Sequence, residues 1–276
     1  MSRRALWLLG DARIAASPSP LLHDAVFGAG TYALHPAEDA ARAFAAAEAT
    51  CRGVNVTAPF KIAAAERYAA VLDDAARSCG AVNTVVYDDD GRATVAANTD
   101  VEGLLVAWRR AAFTVRGQSV AVVGAGGAAR AVVVAAGLAG AAGVVVHARR
   151  SEAAVALATY ARGLGVAARP VEPRGDADRA PLVIVAASDL VDVDGWLARA
   201  LAPGGAVHDL RYGPRARPMR DAALRRGARF TDGATMLLGQ AMVTAALFLG
   251  RPLVAAQQQE MTRAMADWLR QQADAR

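Results

Sequence analysis

The sequence predicts a two-domain α/β protein in which mainly parallel sheets are flanked by helices. Three observations lead to this prediction: a length of 276 residues, an apolar content of 54 %, and the alternation of short apolar runs with alanine-rich helical patterns. A chain of this length and composition can bury two ordinary cores, which excludes disorder as a description of the whole. Strands that alternate with helices are typical of parallel sheets.

The first domain is expected over residues 1–103. Its predicted elements are strands at 5–9, 31–35 and 53–56, helices at 21–28, 37–49 and 59–71, and a hairpin of 81–87 with 92–97. The helix at 59–71 carries Pro59 in its first turn, where a missing backbone N–H costs nothing. Asp88-Asp89-Asp90-Gly91 supplies the turn of the hairpin.

The second domain is expected over residues 104–235. After a helix and a short turn over 101–116, its predicted elements are strands at 118–123, 143–147, 166–171, 182–186 and 205–210, with helices at 127–138 and 151–162. This order is that of a doubly wound nucleotide-binding domain. Two more helices, at 235–249 and 253–272, follow its last strand. Such helices often pack back on the other domain, so we expect 236–276 to complete the first domain.

A glycine-rich turn follows the first strand of the second domain and opens a helix. It fits the pattern G-x-G-x-x-G/A and comprises Gly124, Ala125, Gly126, Gly127, Ala128 and Ala129. The first glycine permits a tight turn and Gly126 lets the backbone approach a pyrophosphate, while the helix N-terminus supplies amides to the phosphates. We interpret this segment as the dinucleotide site of a Rossmann domain rather than as a structural turn.

Two arginines indicate which dinucleotide binds. Arg149 and Arg150 follow the second strand of that domain, where an NAD-binding domain usually carries Asp or Glu for the ribose hydroxyls. Two guanidiniums at this point are suited to a 2′-phosphate. Positive charge is unfavourable at a helix start, which argues against a merely solvated pair. The sequence predicts NADP as the cofactor.

Lys61 is the only lysine among 31 basic residues. A lysine in a chain so rich in arginine suggests a site that needs an amine able to lose its proton, which a guanidinium cannot do. The alternative is that one codon escaped the compositional bias.

Polar residues cluster in three other segments of the first domain. These segments are Ser17-Pro18-Ser19-Pro20, Asn55-Val56-Thr57 before Lys61, and Asn83-Thr84 with Asn98-Thr99-Asp100. Singly, each is explained by a turn, a strand end or a helix cap. Together they favour a small polyhydroxylated ligand, which needs many neutral hydrogen bonds.

Other classes of protein and site are disfavoured. The net charge is +5, but the basic residues are scattered and only 5 % of residues are aromatic, so we do not expect nucleic-acid binding. The spacing of the two cysteines and four histidines predicts no metal site. No apolar run is long enough for a membrane helix. The N-terminal apolar run lacks a clear cleavage site, and we expect a cytoplasmic protein.

These segments together resemble the shikimate dehydrogenase family over nearly the whole chain. The quoted polar segments, Gly80-Ala81-Val82 before Asn83, the glycine-rich turn, and residues 232–240 carry the resemblance. It implies an α/β substrate domain completed by C-terminal helices, a Rossmann domain, and an active site between them. It also implies NADP-dependent interconversion of 3-dehydroshikimate and shikimate, a small ring acid, by a monomer or homodimer.

The resemblance also assigns roles to individual residues. Lys61 and Asp100 match the catalytic pair that handles the proton. Substrate contacts are matched by Ser17, Ser19, Thr57, Asn83, Tyr212 and Gln240. The remaining cofactor contacts match Ser188, Leu210 and Gly233, and Arg149 matches the family arginine that binds the 2′-phosphate.

This chain departs from the family pattern at several positions. The arginine motif has Ala148 and Arg150 in place of Asn and Thr, and Ala153 in place of a later basic residue. Ala245 and Phe248 replace an expected aromatic pair, and Gly239 precedes Gln240. Two alternatives stay open: a dehydrogenase of quinate or an amino analogue, and a ligand-binding protein of low turnover on the same scaffold.

Overall fold

The computed structural model describes residues 5–171 and 178–274. The strands are β1 Ala5–Gly10, β2 Tyr32–Pro36, β3 Cys51–Val56, β4 Thr84–Tyr87, β5 Ala93–Ala97, β6 Ser119–Val123, β7 Gly143–His147, β8 Ala168–Val171, β9 Ala180–Val185, β10 Leu201–Asp209 and β11 Arg229–Asp232. The helices are α1 Ser19–Phe27, α2 Ala40–Thr50, α3 Lys61–Arg67, α4 Asp74–Cys79, α5 Asp100–Arg110, α6 Gly127–Leu138, α7 Ser151–Gly163, α8 Val193–Ala200, α9 Arg217–Arg225, α10 Ala234–Leu249 and α11 Ala255–Asp274.

The chain divides into two compact units. The discontinuous unit comprises Met1–Gly103 and Leu238–Arg276, and the central unit comprises Leu104–Leu237. Two helices cross the divisions, because α5 and α10 each begin in one unit and end in the other.

The discontinuous unit contains a mixed sheet of five strands in the order β2-β1-β3-β4-β5. The first three strands are parallel, and β4 runs antiparallel to both β3 and β5. Along β1, Leu9 faces a core with Phe44 of α2, while Leu6 faces a second core with Phe248 of α10. Helix α10 therefore covers one apolar face of this sheet and α2 covers the other, while α11 packs on α1.

The central unit contains six parallel strands in the order β8-β7-β6-β9-β10-β11. The strand order reverses between β6 and β9, as in a doubly wound dinucleotide-binding sheet. Its strands β6, β7 and β9 are almost continuously apolar, with Val120, Val122 and Ile184 fully buried. Such runs are typical of a parallel sheet whose two faces are both covered by helices.

The structure corrects several of the expected elements. Pro59 precedes the helix expected at 59–71: α3 begins at Lys61 and ends at Arg67, and a 3-10 turn over Ala69–Val71 follows. Four short elements were not predicted from the sequence: α4, α8, α9 and β11. Charged residues interrupt each of these four segments, so none of them is a continuous apolar run. Helix α4 instead depends on its cap, since the Asp73 carboxylate accepts from the amide of Ala76 at 2.6 Å.

Candidate active site

Lys61 and Asp100 form an ion pair inside the discontinuous unit. Lys61 is the first residue of α3 and Asp100 the first residue of α5. The Lys61 Nζ donates to Asp100 Oδ2 at 2.5 Å, and the side chains are only 15 % and 8 % exposed. A carboxylate is favourable at a helix N-terminus and an ammonium is not. The position of Lys61 therefore depends on its partner rather than on its own helix.

Asn83 holds the second oxygen of the same carboxylate. Its Nδ2 donates to Asp100 Oδ1 at 2.9 Å and lies 3.0 Å from Thr99 Oγ1. Its Oδ1 accepts from the backbone amide of Thr99 at 2.8 Å. Asn83 is 3 % exposed, so these bonds are shielded from water. The two carboxylate oxygens of Asp100 are thus engaged by different residues, which fixes the plane of the group.

Helix α10 contributes two further side chains to this cluster. Thr99 Oγ1 donates to Gln240 Oε1 at 3.1 Å and lies 3.1 Å from Thr244 Oγ1. Gln240 is 8 % exposed and Thr244 is fully buried. The helix therefore places an amide and a hydroxyl beside the loop that carries Asp100.

The serines of the first loop join the same network from the other end. Ser17 Oγ donates to Ser19 Oγ at 3.0 Å, and Ser19 hydrogen-bonds to Tyr32. The Tyr32 hydroxyl donates to Asn55 Oδ1 at 2.8 Å, and Asn55 Nδ2 donates to Thr84 Oγ1 at 3.1 Å. Burial raises the pKa of Tyr32 well above its ordinary value, so the hydroxyl keeps the proton that it donates.

The structure therefore brings together six of the eight residues predicted to carry catalysis or substrate binding. These are Ser17, Ser19, Lys61, Asn83, Asp100 and Gln240. Thr57 follows β3 in the same unit, and its methyl group packs so closely on Gly10 that a Cβ there would lie 2.6 Å away. Tyr212 lies in the central unit, where its role as a substrate contact remains a prediction.

Tyr32 and Thr244 are members of the network that the sequence did not reveal. Tyr32 is a single aromatic residue on a strand, and Thr244 is a single hydroxyl on an apolar helix. Neither carries a local signal, since such residues are ordinary in cores. A second ring supports Tyr32: His23 of α1 stacks on it with ring centroids 4.4 Å apart. Burial lowers the pKa of His23 to about 3, so this ring is neutral.

All the residues predicted to bind the cofactor follow carboxyl ends of strands in the central sheet. The glycine-rich turn follows β6, Arg149 follows β7, Ser188 follows β9, Leu210 follows β10 and Gly233 follows β11. Because parallel strands end at one edge, these segments share the edge of the sheet where ligands of doubly wound domains bind.

Two positions in the turn after β6 are glycines for different structural reasons. Gly124 has φ +124°, and a Cβ there would lie 2.9 Å from the backbone carbon of Ala186. Gly126 caps α6 at an ordinary φ of −89°, and a Cβ there would meet nothing within 4 Å. Gly124 is thus required by the fold, whereas Gly126 opens space in front of the first amides of α6. That space fits a phosphate group.

The arginines after β7 and the backbone after β10 complete this edge. Arg149 and Arg150 are exposed, and within residues 5–171 and 178–274 neither is engaged by a carboxylate. Gly233 lies against Leu210, whose carbonyl oxygen a Cβ would overlap. The sequence did not reveal the neighbouring pair of Asp209 and Arg211, which form two parallel bonds at 3.0 and 2.7 Å. Burial raises the pKa of Asp209, and the guanidinium opposes that shift.

The described side chains contain no group of three or more His, Cys, Asp or Glu that could hold a metal ion. Over the described part of the chain, no helix is long and apolar enough to cross a membrane. What the site offers chemically is a buried ammonium–carboxylate pair among neutral hydrogen-bonding groups.

Known proteins of the shikimate dehydrogenase family are similar to this chain in sequence. A family model for the shikimate dehydrogenase substrate binding domain matches residues 9–85. The shikimate dehydrogenase (NADP(+)) of Moorella thermoacetica is 35 % identical over 261 residues, which cover 88 % of this chain and 87 % of that protein.

Solved structures extend the likeness to both units. The shikimate 5-dehydrogenase of Thermus thermophilus, in complex with NADP(H) and shikimate, is 28 % identical with a TM-score of 0.72, covering 94 % of this chain and 99 % of its own. The quinate dehydrogenase of Corynebacterium glutamicum, in complex with NAD, is 27 % identical with a TM-score of 0.76, covering 95 % and 100 %. The two-domain α/β fold and the family predicted from the motifs are confirmed. By sequence and by fold, the chain belongs to the shikimate dehydrogenase family.

Proposed function

We propose that this protein is an NADP-dependent oxidoreductase that interconverts 3-dehydroshikimate and shikimate. The observation that carries the proposal is the buried ion pair of Lys61 with Asp100, which lies among neutral hydrogen-bonding side chains in a member of this family. A polyhydroxylated ring needs several such neutral groups to bind, and its reaction needs one group that transfers a proton.

Lys61 is the group that handles the proton. Reduction of a ring carbonyl builds negative charge on its oxygen, and the Lys61 ammonium donates a proton to that oxygen. In the oxidation direction the amine takes the proton of the hydroxyl. Asp100 holds Lys61 by the bond at 2.5 Å, and Asn83 in turn holds Asp100. The pair thus supplies a proton donor with a fixed direction.

The residues at the edge of the central sheet fit NADP. Gly126 and the uncapped first turn of α6 would hold the pyrophosphate, and Arg149 with Arg150 would hold the 2′-phosphate. Ser188, Leu210 and Gly233 would line the nicotinamide half. When bound, the nicotinamide supplies the hydride, while this chain orients the reactants and manages the proton.

The two parts of the chain have different roles in this proposal. Residues 1–103 with 236–276 form the substrate-binding domain, and residues 104–235 form the NADP-binding domain. Ser17, Ser19, Thr57, Asn83 and Gln240 bind the ring acid, joined by Tyr212. The reactants dissolve in water, in keeping with a cytoplasmic enzyme that needs neither a membrane nor nucleic acid.

The test is a comparison of substrates and coenzymes on the purified protein. NADP or NAD is mixed with shikimate or quinate, and the absorbance of the reduced nicotinamide is followed. We expect the highest kcat/KM for shikimate with NADP. A higher kcat/KM for quinate would contradict the proposal and indicate a quinate dehydrogenase, the activity for which the Corynebacterium glutamicum protein is named. Binding of shikimate without turnover would support a ligand-binding role and contradict the proposal.

A further inference from the structure

The backbone carbonyl of Leu210 lies at the carboxyl edge of the central sheet, immediately after β10. Its oxygen lies so close to Gly233 that a Cβ there would overlap it. Among the described residues, none donates a hydrogen bond to this oxygen. The fold therefore presents a backbone acceptor at the edge where ligands of doubly wound domains bind.

The peptide unit between Leu210 and Arg211 is held at its N–H end. The Arg211 N–H donates to Asp209 Oδ1 at 3.0 Å, and in a trans peptide the carbonyl points the opposite way. The preceding peptide unit is held by the Leu210 N–H, which donates to the Val185 carbonyl at 2.9 Å. The following unit is held by the Arg211 carbonyl, which accepts from the Gly233 N–H at 2.9 Å. Over the described parts of the chain, the middle unit makes no hydrogen bond except the one to Asp209, which therefore sets the direction of the Leu210 carbonyl.

The guanidinium of Arg211 holds the Asp209 carboxylate in place. Nε lies 3.0 Å from Oδ1 and 3.1 Å from Oδ2, and Nη2 donates to Oδ2 at 2.7 Å. The Asp209 side chain is fully buried, and that of Arg211 is 12 % exposed. Burial and the charge of Asp232 raise the pKa of Asp209, while the guanidinium opposes the shift. The ion pair thus fixes both oxygens, including the one that accepts from the backbone.

We infer that Asp209 is a positioning residue for the coenzyme: through the Arg211 N–H, it directs the Leu210 carbonyl toward a hydrogen-bond donor in the nicotinamide half of NADP. This inference rests on the proposed function, in which Leu210 lines that half. A carbonyl oxygen only accepts hydrogen bonds, so its partner is an N–H or O–H group. Without the Asp209 oxygen, the middle peptide unit can rotate between its two bonded neighbours and turn the carbonyl away. The adenosine half does not depend on this carbonyl.

The experiment compares two double variants that both remove the ion pair. Asp209→Asn/Arg211→Met keeps an oxygen that can accept from the backbone N–H of residue 211, whereas Asp209→Ala/Arg211→Met removes it. Neither leaves a buried charge without a partner, so the comparison isolates the backbone bond. Asp209→Val/Arg211→Met also lacks the oxygen but fills its volume, and it repeats the measurement independently. The control is Arg220→Met/Asp221→Ala, which removes an ion pair from α9 whose side chains are each 52 % exposed.

For each protein we measure Tm and the calorimetric Kd of NADP and of adenosine 2′,5′-bisphosphate. The bisphosphate carries the adenosine and the 2′-phosphate of NADP but no nicotinamide. We expect the alanine and valine double variants to bind NADP about 3- to 10-fold more weakly than the asparagine double variant, the effect of one neutral hydrogen bond. The bisphosphate should bind equally to every protein, and the control should resemble the wild type with both ligands.

Equal NADP affinity in the asparagine variant and in the variants without the oxygen would overturn the inference and leave the proposed function intact. A loss of bisphosphate affinity as large as the loss of NADP affinity would show a general disturbance of the edge of the sheet. That result would also overturn the inference alone. If the wild-type protein does not bind NADP, the proposed function fails and the inference fails with it.

Discussion

The ammonium of Lys61 lies 2.5 Å from one carboxylate oxygen of Asp100, and the two residues begin different helices of the same unit. Asn83 binds the other oxygen at 2.9 Å. The carboxylate is therefore held from both sides before any ligand arrives. This arrangement favours proton transfer by the lysine and positioning by the acid, and it makes the lysine the first target for substitution.

Replacing Lys61 should remove the proton donor while leaving the fold intact. Lys61→Ala should lower kcat by about 10²- to 10⁴-fold, the usual contribution of general acid–base catalysis. Lys61→Arg keeps the positive charge but cannot release a proton near neutral pH. It should therefore be nearly as inactive. Steady-state kinetics with shikimate, together with shikimate Kd and Tm, checks both variants. Near-wild-type kcat in Lys61→Arg would rule out proton transfer by Lys61.

Replacing the serines of the first loop should affect the substrate and not the coenzyme. Ser17→Ala and Ser19→Ala each remove a hydroxyl of the chain that leads to Tyr32. An unpaired partner in a buried site costs about 1–3 kcal/mol, so KM for shikimate should rise about tenfold. Calorimetric NADP affinity should not change, and Ser78→Ala in α4 serves as the control. Weaker NADP binding with normal shikimate dependence would contradict the assignment of this loop.

Removing the arginines after β7 should weaken NADP and spare NAD. Charge-assisted hydrogen bonds contribute about 1.5–3 kcal/mol, so the double variant Arg149→Ala/Arg150→Ala should raise KM for NADP tenfold or more. NAD lacks the 2′-phosphate, and its KM should stay the same. Arg162→Ala, at the other end of α7, is the control. An equal loss with both coenzymes would show that the pair does not bind the 2′-phosphate.

The two glycines of the turn after β6 should respond differently to alanine. Gly124→Ala places a side chain at φ +124° against the backbone of Ala186, so Tm should fall. Gly126→Ala meets no protein atom within 4 Å and should keep its Tm. It should nevertheless bind NADP more weakly, because its methyl group occupies the space before α6. Thermal unfolding and calorimetric titration with NADP check the pair. Normal NADP binding by Gly126→Ala would contradict the proposed pyrophosphate site.

Acid should destabilise the protein through its buried histidines. Burial lowers the pKa of His23 from 6.5 to about 3 and that of His208 to about 4. When the pH lies below the pKa of histidine in the unfolded chain, the unfolded chain binds protons that the folded chain does not bind. The contribution of these histidines to the free energy of unfolding is therefore fully present above the pKa of the unfolded chain, and it falls as the pH decreases toward the pKa of the folded chain.

His23→Phe tests this because it keeps an aromatic ring beside Tyr32 and removes one titrating group. The free energy of unfolding is measured with urea at several pH values between the two pKa values of His23. Its slope against pH should be about 1.4 kcal/mol per pH unit smaller in the variant. An identical pH dependence in the variant and the wild type would show that His23 does not contribute.

The sequence by itself determined the features that depend on neighbouring residues. The turn at Gly124 and Gly126, the arginine pair after β7 and the unusual lysine at 61 were recognisable because each combines a local pattern with one chemical requirement. The same holds for the long helices, whose apolar period repeats several times, and for the buried strands, which are continuous apolar runs. The short elements β11 and α9 were missed because charged residues interrupt their apolar positions.

Only the tertiary structure decided how the polar residues meet. Thr99 and Gln240 are 141 positions apart, and Asn55 and Thr244 are 189 apart, so no local pattern connects them. They come together because α10 packs on an apolar face of a sheet whose strands lie much earlier in the sequence. A single threonine on an apolar helix carries no signal of its own. Its importance follows from the three hydroxyl and amide groups that this packing places around it.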